Sequence, residues 1–244
     1  MAELVVALDF PRAEEALDVA RRLRADVAWV KIGLELFVAA GPDVVSGMKD
    51  LGLKVFLDLK FHDIPNTVRG AVRSAARLGA DMLTLHASGG RAMLDAAVEA
   101  VHGLPKPPLL FAVTVLTSMS AEDTALLGRR DVQGLVADLA RSSCAARLDG
   151  VVCSALEAHA VKAACAGRLA CLTPGIRLAD GPGASAGDQK RVADPAFAVA
   201  QGSDYLVVGR PITSAPDHAE AARRFLRAMR GQPSLGGREE PWTG

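Results

Sequence analysis

Asp58 and Lys60 stand one residue apart in Val55-Phe56-Leu57-Asp58-Leu59-Lys60, at the end of a run that reads as a strand. Side chains on a strand alternate with a period of two, so Phe56, Asp58 and Lys60 share a face. Two other runs end the same way. Ala7 and Asp9 share parity, as do Trp29 and Lys31. If that face points into a barrel, Asp9, Lys31, Asp58 and Lys60 meet at one mouth with alternating charge. An alternating Lys/Asp array at that place would form the core of a small-molecule active site. The plainer reading is a salt-bridge network that closes the end of a barrel.

A second set of residues suits an anion. Arg177 follows Thr173-Pro174-Gly175-Ile176, and Arg210 follows Val208-Gly209. A guanidinium grips phosphate with two parallel hydrogen bonds, and a glycine lets the backbone come close to the ligand. Between them lies Gly181–Asp188 (GPGASAGD), a lid candidate that with Gln189 would close over the anion. Taken singly, each arginine also reads as a solvated surface residue. His86 reads as a hydrogen-bonded support rather than an acid or base. His62 has the opposite parity to Lys60. His102, His159 and His218 read as surface residues. The sequence has no HExxH, GxSxG, Walker or zinc-spaced Cys/His pattern.

These residues need elements to carry them. Eight strands are expected, at Leu4–Leu8, Val27–Ile32, Lys54–Leu59, Asp81–Leu85, Leu109–Val115, Gly150–Cys153, Leu169–Thr173 and Tyr205–Val208. Helical patterns fall at Ala13–Leu23, Thr67–Leu78, Arg91–Val101, Val132–Arg147, Ala155–Ala166 and His218–Met229. Strand and helix alternating at about 29 residues per unit imply parallel strands with crossovers. Eight such units predict an α/β fold, a (β/α)₈ TIM barrel in a single domain over residues 1–230. An open doubly wound sheet is the rival. It usually has a glycine-rich turn after its first strand, and here that turn is Asp9-Phe10-Pro11-Arg12. Barrel enzymes place their chemistry at the C-terminal ends of the strands, where Asp9, Lys31, Asp58 and Lys60 fall. Residues 231–244, rich in Gly, Pro and charge, are expected to form a flexible tail.

Composition narrows the function classes. Of 244 residues, 28 are basic and 28 acidic, for a net charge of 0. That argues against a bulk nucleic-acid or membrane-surface binder. The longest stretch free of charged side chains is Pro107–Ala121, 15 residues, short of the roughly 20 needed to span a bilayer. The N-terminus carries Glu3 and Asp9 and does not resemble a signal peptide. Cys144, Cys153, Cys165 and Cys171 form no CxxC pair and read as reduced core thiols, so a cytoplasmic location is expected.

The stretch Val55-Phe56-Leu57-Asp58-Leu59-Lys60-Phe61-His62-Asp63-Ile64-Pro65-Asn66-Thr67-Val68 resembles the signature of the orotidine 5′-phosphate decarboxylases. The resemblance extends through Ala7-Leu8-Asp9-Phe10, Val30-Lys31-Ile32-Gly33-Leu34-Glu35-Leu36-Phe37, Val115-Leu116-Thr117-Ser118, Gly150-Val151-Val152-Cys153-Ser154, Thr173-Pro174-Gly175-Ile176-Arg177 and Val208-Gly209-Arg210-Pro211-Ile212. It implies conversion of orotidine 5′-phosphate to uridine 5′-phosphate and carbon dioxide in pyrimidine synthesis, with no cofactor and no metal. It also implies a homodimer with shared active sites and no nucleic-acid or membrane partner. By motif, Lys60 matches the proton donor, and Lys31, Asp58 and Asp63 complete its charge array. Asp9 and Lys31 match ribose contacts, and Thr117 matches a contact to the pyrimidine edge. Arg177, Gln189, Gly209 and Arg210 match lid and phosphate contacts. Asp63, Ile64 and Thr67 match residues lent to the neighbouring subunit's site. Two alternatives remain. One is a Mg²⁺-dependent sugar-phosphate decarboxylase or aldolase of the same superfamily, which would need an acidic ligand where Lys31 stands. The other is a non-catalytic sensor of a phosphate ligand.

Overall fold

Branched and aromatic residues dominate the strand runs, and Ala/Leu-rich amphipathic segments lie between them. The computed structural model describes residues 1–126, 128, 131–178 and 192–232. Its elements run β1 (Glu3–Ala7), α1 (Ala13–Leu23), β2 (Trp29–Ile32), α2 (Leu34–Ala40), α3 (Asp43–Asp50), β3 (Lys54–Phe61), α4 (Pro65–Arg77) and β4 (Met82–His86). They continue with α5 (Arg91–Val101), β5 (Leu109–Val113), α6 (Ala121–Ala125), α7 (Val132–Ala145), β6 (Gly150–Val152), α8 (Ala155–Ala164) and β7 (Ala170–Thr173). The last are α9 (Pro195–Ala200), β8 (Tyr205–Val208), α10 (Arg210–Thr213) and α11 (His218–Met229).

The eight strands pair in sequence order, all parallel, and β8 closes on β1. This is the expected (β/α)₈ barrel. Each predicted strand is present, with no end shifted by more than two residues. Residues 33–53, where no helix was expected, hold α2 and α3. Gly41 separates them at φ +69°, and Pro42 follows. That break is left-handed backbone, open to glycine and costly to other residues, and it divides a pattern too short to read as one helix.

Strand parity divides the apolar residues into two sets. Val5, Ala7, Trp29, Phe56, Met82, Phe111, Leu172 and Val207 fill the barrel interior. Their neighbours of opposite parity, such as Val6, Val30, Val55, Leu57, Leu83 and Leu85, pack outward beneath the helices. The inward set includes the expected partners Ala7, Trp29 and Phe56. Gly150 makes room for one of the aromatic interior groups, since a Cβ there would overlap the Phe111 ring.

The N-terminal rim is tied by one device used three times. Asp81, Asp149 and Asp204 each precede a strand. Each backbone N–H donates to the carbonyl of Val55, Leu110 or Cys171 at 2.8–3.1 Å. Each carboxylate accepts the N–H of that same residue at 2.7 Å. Lys49 and Lys162 add ion pairs to Asp81 and Asp204. Among the described residues, no helix is long and apolar enough to cross a membrane. The expected lid, 181–189, and the tail beyond Gln232 lie outside the described residues.

Candidate active site

At the C-terminal end of the barrel the inward parity of β1, β2 and β3 delivers the charged residues. Lys31 Nζ donates to Asp9 Oδ1 at 2.8 Å and lies 3.9 Å from Asp58 Oδ2. Lys60 Nζ donates to Asp58 Oδ2 at 2.8 Å. Asp9, Lys31, Asp58 and Lys60 thus form one chain of alternating charge. Its centre is sunk: the Lys31 and Asp58 side chains are 10% and 11% exposed, against 31% for Lys60. Burying two charges is costly unless each is paired, and here each has an opposite neighbour on both sides. Gly33 leaves space for this pairing. A Cβ at position 33 would stand 2.7 Å from Lys31 Nζ and 2.9 Å from Asp9 Oδ1.

Asp58 and Lys60 do meet, as their parity predicts, but not along a regular strand. Between Leu57 and Phe61 β3 places three residues where β4, between Leu83 and Leu85, places one. Lys60 absorbs the surplus at φ +51°. A non-glycine residue pays about 1–2 kcal/mol for that left-handed conformation. Thr84, completely buried on β4, bonds to both ends of the irregularity. Its hydroxyl accepts the Lys60 backbone N–H at 3.0 Å and donates to Asp58 Oδ1 at 2.8 Å.

Across the mouth, Arg177 and Arg210 extend from the segments after β7 and β8. Burial, followed by the nearby charge of Arg210, lowers the pKa of the Arg177 guanidinium from its ordinary value. Two cations held this close suit a doubly charged anion. Gly209 lies against β1, where an added Cβ would be 3.5 Å from that of Ala7. The array and the arginines face one cavity of about 590 Å³, within the usual range for small-molecule sites.

Asp9, Lys31, Asp58, Lys60, Thr117, Arg177, Gly209 and Arg210 all line this cavity. Asp63, Ile64 and Thr67 do not. They are exposed around the N-terminus of α4, with Ile64 at 68% exposure. The Asp63 carboxylate accepts the N–H of Ile64 at 2.6 Å and does not join the array of its own chain. Gln189 lies outside the described residues. Glu35 and Leu116 also line the cavity and were not singled out from sequence. Both lie within segments that carry the family resemblance, Glu35 two residues after Gly33 and Leu116 beside Thr117, but neither was given a role in the site. Thr84 gave no signal, because a threonine inside Leu-Thr-Leu looks like an ordinary strand residue. His86 is half-buried beside the array, 5.1 Å from the His62 ring. Burial, then the charges of His62 and Lys60, lowers its pKa. Among the described residues, no group of three or more His, Cys, Asp or Glu is placed to hold a metal ion.

Residues 2–225 match the family described as "Orotidine 5'-phosphate decarboxylase / HUMPS family". A protein from Nitratidesulfovibrio vulgaris named orotidine 5'-phosphate decarboxylase is 56% identical over 94% of this chain and 98% of its own length. A protein of the same name from Maridesulfovibrio salexigens is 53% identical over 94% and 99%. The crystal structure of orotidine 5'-phosphate decarboxylase from Lactobacillus acidophilus superposes with a TM-score of 0.81 at 34% identity, covering 94% of this chain and 99% of that one.

Proposed function

The chain belongs to the orotidine 5'-phosphate decarboxylase / HUMPS family, within which it is a carboxy-lyase that forms uridine 5'-phosphate and carbon dioxide from orotidine 5'-phosphate in pyrimidine biosynthesis, and we propose that Lys60 is its proton donor. The observation that carries this assignment is the chain Asp9–Lys31–Asp58–Lys60 facing Arg177 and Arg210 across one cavity. The phosphate binds between Arg177 and Arg210, beside Gly209, with Gln189 as a further contact. Asp9 and Lys31 take the ribose hydroxyls. Thr117 takes the pyrimidine edge, which brings C6 of the ring to Lys60.

The C6–carboxylate bond breaks and carbon dioxide departs, leaving the electron pair on C6. The Lys60 ammonium stabilises that carbanion and donates a proton to it, giving uridine 5'-phosphate. Solvent then restores the proton on Lys60. Asp58 and Lys31 hold the ammonium in place, so little reorganisation accompanies charge development. Phosphate contacts far from C6 favour closure over the site, which converts remote binding into rate.

The reading includes no cofactor and no metal. An ammonium, Lys31, occupies the position where the Mg²⁺-dependent sugar-phosphate relatives require an acidic ligand. It also includes a homodimer in which Asp63, Ile64 and Thr67 enter the neighbour's site, supported by the exposure of all three. A cytoplasmic location fits four buried cysteines that form no disulfide.

The test is the ultraviolet change on adding orotidine 5'-phosphate to purified protein in EDTA. Turnover should persist through exhaustive chelation, and Lys60→Ala should lower kcat by at least about 1,000-fold while changing binding much less. Turnover lost to EDTA and restored by Mg²⁺ would move the chain to the sugar-phosphate branch. A Lys60→Ala enzyme with normal kcat would remove Lys60 from the chemistry.

A further inference from the structure

Thr84 touches both halves of the Asp58–Lys60 pair, yet it does not line the cavity. Its parity matches Met82 and His86, so its side chain points into the barrel just below the array. We infer that Thr84 is a positioning residue: its hydroxyl holds the Asp58 carboxylate against the Lys60 ammonium and fixes the left-handed Lys60 backbone that aims the ammonium into the site.

Three observations converge on this inference. First, the irregularity in β3 lies opposite Thr84, between the pairs Leu57↔Leu83 and Phe61↔Leu85. Second, the backbone N–H that the irregularity diverts, that of Lys60, goes to the Thr84 hydroxyl rather than to water. Third, the same hydroxyl spends its one proton on Asp58 Oδ1, leaving Oδ2 to Lys60 Nζ. A hydroxyl has one donor and can accept as well, so a single side chain can meet both demands. Valine has the same shape and can meet neither. Losing the hydroxyl frees the carboxylate to rotate and the Lys60 backbone to relax. Both movements displace the ammonium from C6 without touching the ribose or phosphate contacts.

The inference rests on Lys60 acting as the proton donor, so the experiment tests the two separately. Thr84→Val should lower kcat by about 100-fold, the scale of an ångström of misplacement. KM and the affinity for uridine 5'-phosphate should stay within about threefold of the parent values. Thr84→Ser restores the hydroxyl and should recover most of kcat. In a Lys60→Ala background, Thr84→Val should cost nothing further, because no ammonium remains to be placed. Normal kcat in Thr84→Val, with Lys60→Ala inactive, would overturn the inference and leave Lys60 in its role. An equal proportional loss in the Lys60→Ala background would also overturn it, since the hydroxyl would then act through general packing. An active Lys60→Ala enzyme would instead refute the reading on which the inference rests. If Thr84→Val does not fold, Thr84→Cys, similar in volume but with a weak donor and acceptor, carries the same comparison.

Discussion

Arg177 and Arg210 show what one residue can decide in this molecule. A guanidinium remains charged throughout the working pH range, so the value of the pair depends on whether an anion sits between them. Arg210→Ala should therefore raise KM by about 30-fold or more, as expected for a charge-assisted hydrogen bond. It should lower kcat as well, as the proposed coupling of phosphate binding to closure requires. Steady-state kinetics with unaltered KM would place the phosphate elsewhere. His86 offers a pH test at the same scale. Burial, His62 and Lys60 hold its pKa below the ordinary 6.5, so as pH falls the unfolded chain takes up this proton before the folded one does. The protein consequently loses stability below about pH 6.5, and His86 has no such effect above it. The His86 imidazole should titrate by NMR with a midpoint below 6.5. His86→Asn should narrow the stability difference between pH 7 and pH 5.5 in urea unfolding. A midpoint at or above 6.5 would refute both expectations.

At the scale of elements, the barrel separates stability from chemistry by end. Asp81, Asp149 and Asp204 clamp β3–β4, β5–β6 and β7–β8 at the N-terminal rim, while the charged array occupies the opposite end. Asp204→Ala leaves the Cys171 N–H without its side-chain acceptor and Lys162 with only the Leu169 carbonyl. It should cost about 1–3 kcal/mol in urea unfolding, nearer the lower figure because Asp204 is partly exposed, and leave kcat unchanged. A large fall in kcat without loss of stability would contradict that separation. Strand parity is also what made much of the site legible from sequence. Ala7/Asp9, Trp29/Lys31 and Phe56/Asp58 all point inward as the period of two requires. Thr84 escaped notice because its role depends on a register shift in the neighbouring strand, and nothing in Asp58-Leu59-Lys60 announces that shift. α2 and α3 were missed because Gly41-Pro42 cuts the pattern between β2 and β3 into pieces too short to show helical periodicity. Glu35 was missed with them, since it rides on the first turn of α2.

At the scale of the whole molecule, one chain accounts for the array but gives Asp63 no place in it. Lys60 points into the cavity, and three residues later the chain has turned outward, leaving Asp63, Ile64 and Thr67 on the surface at the start of α4. Ile64, at 68% exposure, is a large apolar group in water. Two-fold pairing would bury it and carry Asp63 into the opposite site, because a closed two-fold interface gives each partner what it takes from the other. Each site would then use Lys60 from one chain and Asp63 from its neighbour. Homodimers of Lys60→Ala and of Asp63→Asn should each be badly impaired. When equal amounts are mixed and allowed to exchange subunits, about half of the dimers are mixed. In each mixed dimer one site carries both substitutions and the other carries neither. About a quarter of all sites should therefore recover parental turnover, by counting within the two-fold arrangement. Native mass spectrometry establishes the exchange independently of activity. Mixed dimers seen by mass without recovered turnover would mean that Asp63 serves its own chain and that the sites are not shared.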